Sequence, residues 1–407
     1  MTCFFFWGCT SVGPREISLA TVSPNMIVFV PGYYGTALVD RSSGTLRHLS
    51  MSTALFGGPS LALDGPALGL ETAEVVAGGL LKKVSVFPLL FSMDIYGETE
   101  SLLHDAFPKQ VVTFTYDWRQ SIASASARLD ALIQQLKQRG ASNIAIVAHS
   151  NGGMVTSYYL RYGGQALENA TETWDGLSQV NAVVLAGVPF HGTVTPFYNM
   201  LHGLSFGLEK TPLHQQAFGT FPSAFELLPP TEATPFIGRN GRNLDSEWSQ
   251  SQFWEKNRWG YFKDPAPSKK IAETRLHHLD KLLQRRTLMN QHMLTAGKSS
   301  PPRQIPALVI IGKGETSLAK MQWTQNSLVQ NGEWKANQSR LFLEGDGTLT
   351  QASATPPPAL LRGLKPQTLM TKAPHTDLLK DEDNAKRVVQ FLNQSLNLKP
   401  MLNASNN

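Results

Sequence analysis

Short apolar runs alternate with segments of helical spacing along most of the chain. Met26–Val30 (MIVFV) is continuous, rich in β-branched residues and followed by Pro31-Gly32, so it predicts a buried strand feeding a turn. Val111–Thr115, Ile144–Ala148, Val180–Ala186 and Ile305–Ile311 repeat the pattern, and Leu341–Leu343 predicts a short sixth strand. Between them, Leu129, Leu132, Ile133 and Leu136 recur at helical spacing within Ala125–Leu136, which Gly140 terminates. Gly152–Tyr162 reads as a further helix. The strand runs lack polar alternation. A strand apolar on both faces belongs in a parallel sheet covered on both sides. The predicted class is therefore α/β, with a mostly parallel central sheet and helices on both faces.

The alternation breaks between Phe190 and Arg303. That stretch is rich in Phe, Leu, His and Pro, then becomes basic and helical, with Ala272, Leu276, Leu279 and Leu283 marking one face within Lys269–Ala296. It predicts a cap inserted at 190–303 between two core segments, 25–189 and 304–395. Residues 1–24 are expected to be irregular and 396–407 to form a disordered tail. The row Phe190, Phe197, Leu201, Leu204, Phe206, Leu208, Phe218, Phe221 and Phe225 reads either as the roof of an apolar pocket or as packing inside the cap.

Composition narrows the classes. With 407 residues, 42% hydrophobic and 16% charged, the chain is globular and not disordered. No apolar stretch reaches the ~20 residues of a membrane span, so no transmembrane helix is expected. The two cysteines, Cys3 and Cys9, exclude a disulfide scaffold, a Cys-based zinc site and a cysteine nucleophile in the folded body. Gly8 before Cys9 looks like the end of a lipoprotein export signal, but no basic segment precedes it. A cytoplasmic or peripheral membrane location and an exported lipoprotein thus both stay open. The net charge is +5, yet Lys256–Arg303 alone holds eleven Lys and Arg against three acids, Asp264, Glu273 and Asp280. This is one basic surface on an otherwise slightly acidic chain: either a solvated helix face or a patch for peripheral association with an anionic membrane. Its few aromatics, Trp259, Tyr261 and Phe262, argue against nucleic acid. His277 and His278 are adjacent, point to different helix faces and cannot share a metal.

The chemistry concentrates at Ala148-His149-Ser150-Asn151-Gly152, between a strand and a helix. A serine on a sharp strand-to-helix turn is held in a strained backbone that projects its Oγ from the sheet edge. Residues two before and two after it must be small, and Ala148 and Gly152 are. The bland alternative is a serine capping a helix. Further on come Gly345-Asp346-Gly347-Thr348 and Pro374-His375-Thr376-Asp377.

Together with Val30-Pro31-Gly32 and Tyr116-Asp117-Trp118-Arg119, these motifs resemble the lecithin:cholesterol acyltransferase family, in family order from about Met26 to Leu392. The resemblance implies an α/β-hydrolase fold with an inserted cap. It implies Ser150 as nucleophile, Asp346 as the acid and His375 as the base, with an oxyanion hole made by the backbone N–H groups of Tyr33 and Asn151. The expected activity is serine-dependent lipid acyl transfer or lipolysis through an acyl-enzyme, on a lipid or similarly apolar ester, with no metal or organic cofactor. A soluble carboxylesterase or thioesterase and an inactive binding protein of the same fold are the alternatives. Asp117 and Arg119 read first as a structural ion pair.

Overall fold

The computed structural model describes residues 22–47, 60–86, 91–204, 213–238, 242–243, 246–324, 327–328 and 338–398. Cys3, Cys9, Phe206, Leu208 and the last nine residues lie outside them.

A six-stranded parallel sheet forms the centre. Its strands are β1 (Asn25–Val30), β2 (Val111–Thr113), β3 (Asn143–His149), β4 (Ala182–Ala186), β5 (Ile305–Gly312) and β6 (Leu364–Thr371), in spatial order β6-β5-β4-β3-β1-β2. Every neighbouring pair is parallel. The register of β1 against β3 puts Met26, Val28 and Val30 on one face with Ile144, Ile146 and Ala148, and Ile27 and Phe29 on the other with Ala145 and Val147. Helices α2 (Ile122–Gln138) and α3 (Asn151–Tyr162) cover the first face through Leu129, Leu132, Ile133 and Tyr158. Helices α1 (Gly97–Ala106) and α7 (Glu382–Ser395) cover the second through Leu103, Val388, Phe391 and Leu392. Burial on both faces is the reason the strand sequences carry no polar alternation.

Two details differ from the sequence expectation. The sixth strand of the sheet is Leu364–Thr371, not Leu341–Leu343. Most of its side chains are exposed, and it holds Lys365, Pro366 and Gln367, which only an edge strand tolerates. The 341–343 segment instead enters Phe342–Gly345, which pairs antiparallel with Glu315–Leu318 in a ribbon outside the sheet. At the expected tail, Leu396 is 2% exposed and belongs to the core, because it closes the end of α7 against the second face.

Residues 190–303 leave the sheet after β4 and return at β5. They contain α4 (Thr195–His202), α5 (Pro222–Glu226) and the long α6 (Lys269–Leu294), with shorter turns between. Phe236–Gly238 of this region pairs with Met321–Thr324, so chain beyond β5 also joins it. An aromatic cluster of Phe197, Phe236, Trp248, Trp254 and Trp259 fills its interior. The basic stretch is not one solvated face. Arg275 and Arg286 are buried: the Arg275 guanidinium donates to the Leu68 and Asp264 carbonyls, and Arg286 lies 4.4 Å over the Trp248 ring. Arg285 pairs with Glu226 and Glu168. Lys269, Lys270 and Lys281 remain exposed.

Candidate active site

Ser150 stands where β3 meets α3. Its backbone is at φ 53°, ψ −125°, a strained conformation for a residue with a side chain. It occupies the helix cap position, but its Oγ makes no capping hydrogen bond. The bland reading of this serine therefore fails on geometry. A Cβ on Gly152 would lie 2.3 Å from the Val30 carbonyl oxygen, so only glycine lets α3 start this close to the end of β1.

Asp346 and His375 come from the far side of the sheet. The antiparallel ribbon ends at Gly345, and the turn that follows folds the Asp346 carboxylate inward, where it is 2% exposed. Its Oδ1 accepts the Thr348 and Leu349 backbone N–H groups at 2.9 and 2.7 Å, and its Oδ2 accepts from His375 Nδ1 at 2.8 Å. The His375 backbone N–H also donates to the Asp346 carbonyl at 2.9 Å. Burial by itself would raise the Asp346 pKa. The His375 bond and charge and the two N–H donors outweigh it, so the carboxyl is held below its ordinary value and stays ionised. His375 opens a short turn after β6 and is 8% exposed.

Ser150 and His375 line one cavity of about 280 Å³, together with Tyr33 and Asn151. The loop after β1 passes directly over the serine: a Cβ on Gly32 would fall 2.8 Å from Ser150 Cβ. Tyr33 and Tyr34 both rest on the Trp118 ring, with centroids 4.9 Å apart in each case. The Tyr33 hydroxyl meets Ser223 Oγ of α5 at 3.1 Å. Asn151 donates from its side chain to the Tyr116 hydroxyl at 3.2 Å, and Tyr116 in turn donates to the Pro31 carbonyl at 2.9 Å. The five residues expected from the sequence are thus brought to one place.

The rest of the lining is mostly apolar, with Leu81, Val84, Ile95, Pro196, Phe218 and Leu227, and is joined by Thr193, Thr195 and Asn199. Of the phenylalanine row, Phe218 lines it. Phe197 and Phe225 pack on Trp254, and Phe221 packs on Trp118. Arg119 makes a two-point bond to Asp117 at 2.9 and 2.7 Å and donates to the Leu61 carbonyl, a structural tie as read from the sequence. Sequence reasoning missed the contribution of Leu81, Val84 and Ile95, which lie in and beside two short strands, Lys83–Val86 and Phe91–Asp94, whose runs are too brief to stand out. It also missed any role for Tyr96 and His149. No group of three or more His, Cys, Asp or Glu placed to hold a metal occurs among the described residues, and none of their helices is long and apolar enough to cross a membrane.

The family model described as "Lecithin:cholesterol acyltransferase" matches residues 107–356. The chain belongs to that family. The match covers more than half of the sequence, runs through the 190–303 region, includes Ser150 and Asp346, and ends before His375. Membership places the chain among enzymes that hydrolyse or transfer acyl esters. A search of curated proteins finds no match. Among solved structures the chain is similar to one described as "The crystal structure of Tle4-Tli4 complex", at 13% identity and TM-score 0.57, over 93% of this chain and 99% of that one. It also matches the lipase BlEst2 of Bacillus licheniformis, at 12% identity and TM-score 0.35, over 94% and 96% of the two chains. At such identities the likeness to the first of these is one of fold.

Proposed function

We propose that this family member is a lipid acyltransferase or lipase that works through an acyl-enzyme on Ser150. The observation that carries the reading is that His375, bonded through Nδ1 to the buried Asp346 carboxylate, lines the same cavity as the strained Ser150. A carboxylate accepts only, so Nδ1 carries the proton and Nε2 keeps the lone pair a base needs. Ser150 Oγ attacks the ester carbonyl carbon as its proton passes to Nε2. The carbonyl oxygen becomes an oxyanion held by the Tyr33 and Asn151 backbone N–H groups. The ester C–O bond then breaks, and the leaving alcohol takes the proton from Nε2. A second acceptor, water or an alcohol, gives its proton to Nε2 and attacks the acyl carbon; the bond from that carbon to Ser150 Oγ then breaks, and the Nε2 proton returns to Oγ.

The apolar walls favour a long acyl chain over a small polar ester. Pro196, Phe218 and Leu227 of the 190–303 region, with Leu81, Val84 and Ile95, line the space for that chain. Exposed Lys269, Lys270 and Lys281 are suited to an anionic lipid surface.

The test is to supply a phospholipid donor in vesicles, titrate a long-chain alcohol, and measure free fatty acid and new ester together. The reading expects new ester to rise as free acid falls. Free acid that stays constant, with no ester at any alcohol level, leaves a hydrolase only. No release of acid and no ester from any acyl donor overturns the reading.

A further inference from the structure

Behind Ser150, three buried hydrogen bonds join parts of the site that are distant in sequence. The Gly32 backbone N–H donates to the Tyr96 hydroxyl oxygen at 2.8 Å. That hydroxyl meets His149 Nδ1 at 2.7 Å. On the far side of the same ring, His149 Nε2 meets the His375 carbonyl oxygen at 2.9 Å. We propose that Tyr96 and His149 are positioning residues, which set the loop carrying Tyr33 and the backbone of His375 in register around Ser150. The inference rests on the roles given to Ser150, His375 and Tyr33 above.

The direction of each bond follows from the chemistry of the atoms. A carbonyl only accepts, so His149 Nε2 carries a hydrogen. Burial, and then the neighbouring His375, push the His149 pKa down to about 3, so the ring is neutral and Nδ1 holds a lone pair. The Tyr96 hydroxyl must therefore donate to Nδ1, which leaves its oxygen to accept from Gly32. Burial raises the Tyr96 phenol well above its ordinary range, so the hydroxyl keeps its proton. The chain has one tautomer and one direction. It ties the loop after β1 and the backbone of His375, both beyond the strand ends, to His149, the last residue of β3. Neutrality serves the reaction too. The His149 and His375 rings are 4.7 Å apart, and a charged His149 would oppose the imidazolium that His375 becomes.

Three variants test this: Tyr96→Phe, His149→Phe and His149→Gln. Tyr96→Phe removes one oxygen and keeps the ring. Gln presents an oxygen toward Tyr96 and an N–H toward the His375 carbonyl, as the neutral imidazole does. Small misplacements at a reacting centre cost up to about 100-fold, so Tyr96→Phe and His149→Phe are expected to lower kcat by about 10- to 100-fold with KM changed less than about twofold. His149→Gln is expected to recover kcat to within about fivefold of the wild type. Fluorophosphonate labelling and thermal melts run alongside, and if His149→Phe fails to fold, the other two variants decide. Wild-type kcat in Tyr96→Phe, or a loss in His149→Gln as deep as in His149→Phe, overturns the inference. Ser150→Ala separates the two claims. If it is inactive while Tyr96→Phe and His149→Gln both keep full kcat, only the positioning role falls. If it stays active, the reading of the site itself fails.

Discussion

Replacing Asp346 with asparagine tests the histidine tautomer with almost no change in shape. In the wild type Oδ1 accepts two backbone N–H groups, from Thr348 and Leu349, and Oδ2 accepts from His375 Nδ1. Those two donors dictate the orientation of the new amide. Its oxygen must take the Oδ1 place, so its NH₂ faces His375 Nδ1. Two donors cannot share a hydrogen bond, so Nδ1 becomes the acceptor and the imidazole proton moves to Nε2, the atom proposed to accept from Ser150. The base is then blocked at its working nitrogen. Elsewhere, holding a triad histidine in the wrong tautomer costs about 10⁴-fold in kcat, which corresponds to about 5.4 kcal/mol of transition-state stabilisation. Stability should fall far less, on the order of 1 kcal/mol, because both backbone donors keep their acceptor. The assay is kcat on a medium-chain chromogenic ester, with a thermal melt of the same preparation. A folded Asp346→Asn protein that keeps kcat within about tenfold of the wild type would refute the tautomer argument.

Arg119→Met should destabilise the fold by about 3 kcal/mol, because it leaves the Asp117 carboxylate and the Leu61 carbonyl without their partner, yet the folded fraction should keep its kcat; denaturant titration and active-site counting check both. His149 faces Tyr96, His375 and Asp346. Its folded pKa, about 3, lies below the ordinary 6.5, so the unfolded chain binds the extra proton between those values. Stability then falls with falling pH by up to about 1.4 kcal/mol per unit from this group. His149→Gln should flatten the stability curve over that window, and an unchanged slope would contradict the assignment. Lys269→Glu with Lys270→Glu should weaken binding to anionic vesicles by about 1 kcal/mol per residue engaged, and the difference should vanish near 1 M salt, where the Debye length is about 3 Å. Vesicle sedimentation that does not distinguish the double variant from wild type removes the lysines from any membrane role.

Which parts of this molecule were readable in the sequence follows from what each residue touches. Strands β1, β3, β4 and β5 announce themselves because both their faces are buried, which forces continuous apolar runs. Strand β6 stays hidden because it forms an edge with most side chains in solvent, so nothing selects for apolar residues there. Ser150 stood out as a candidate because a sharp strand-to-helix turn needs small residues two before and two after it, as Ala148 and Gly152 are, whereas Asp346 and His375 stood out only through the motifs they share with the family. Tyr96 and His149 carry no such mark. Their bonds span 64, 53 and 226 residues, so no local pattern relates one partner to the next. The basic stretch misled for a related reason: charge is visible in a sequence, but the carbonyls and the Trp248 face that draw Arg275 and Arg286 inward come from elsewhere in the chain.

The central claim is a covalent acyl group on Ser150. Rapid acid quenching during turnover of a slow ester, followed by peptide mass mapping, reads it directly. The account predicts the acyl mass on the peptide containing Ser150 in the wild type, and neither that mass nor turnover in Ser150→Ala. Acyl label on a different residue, or wild-type turnover in Ser150→Ala, would contradict it.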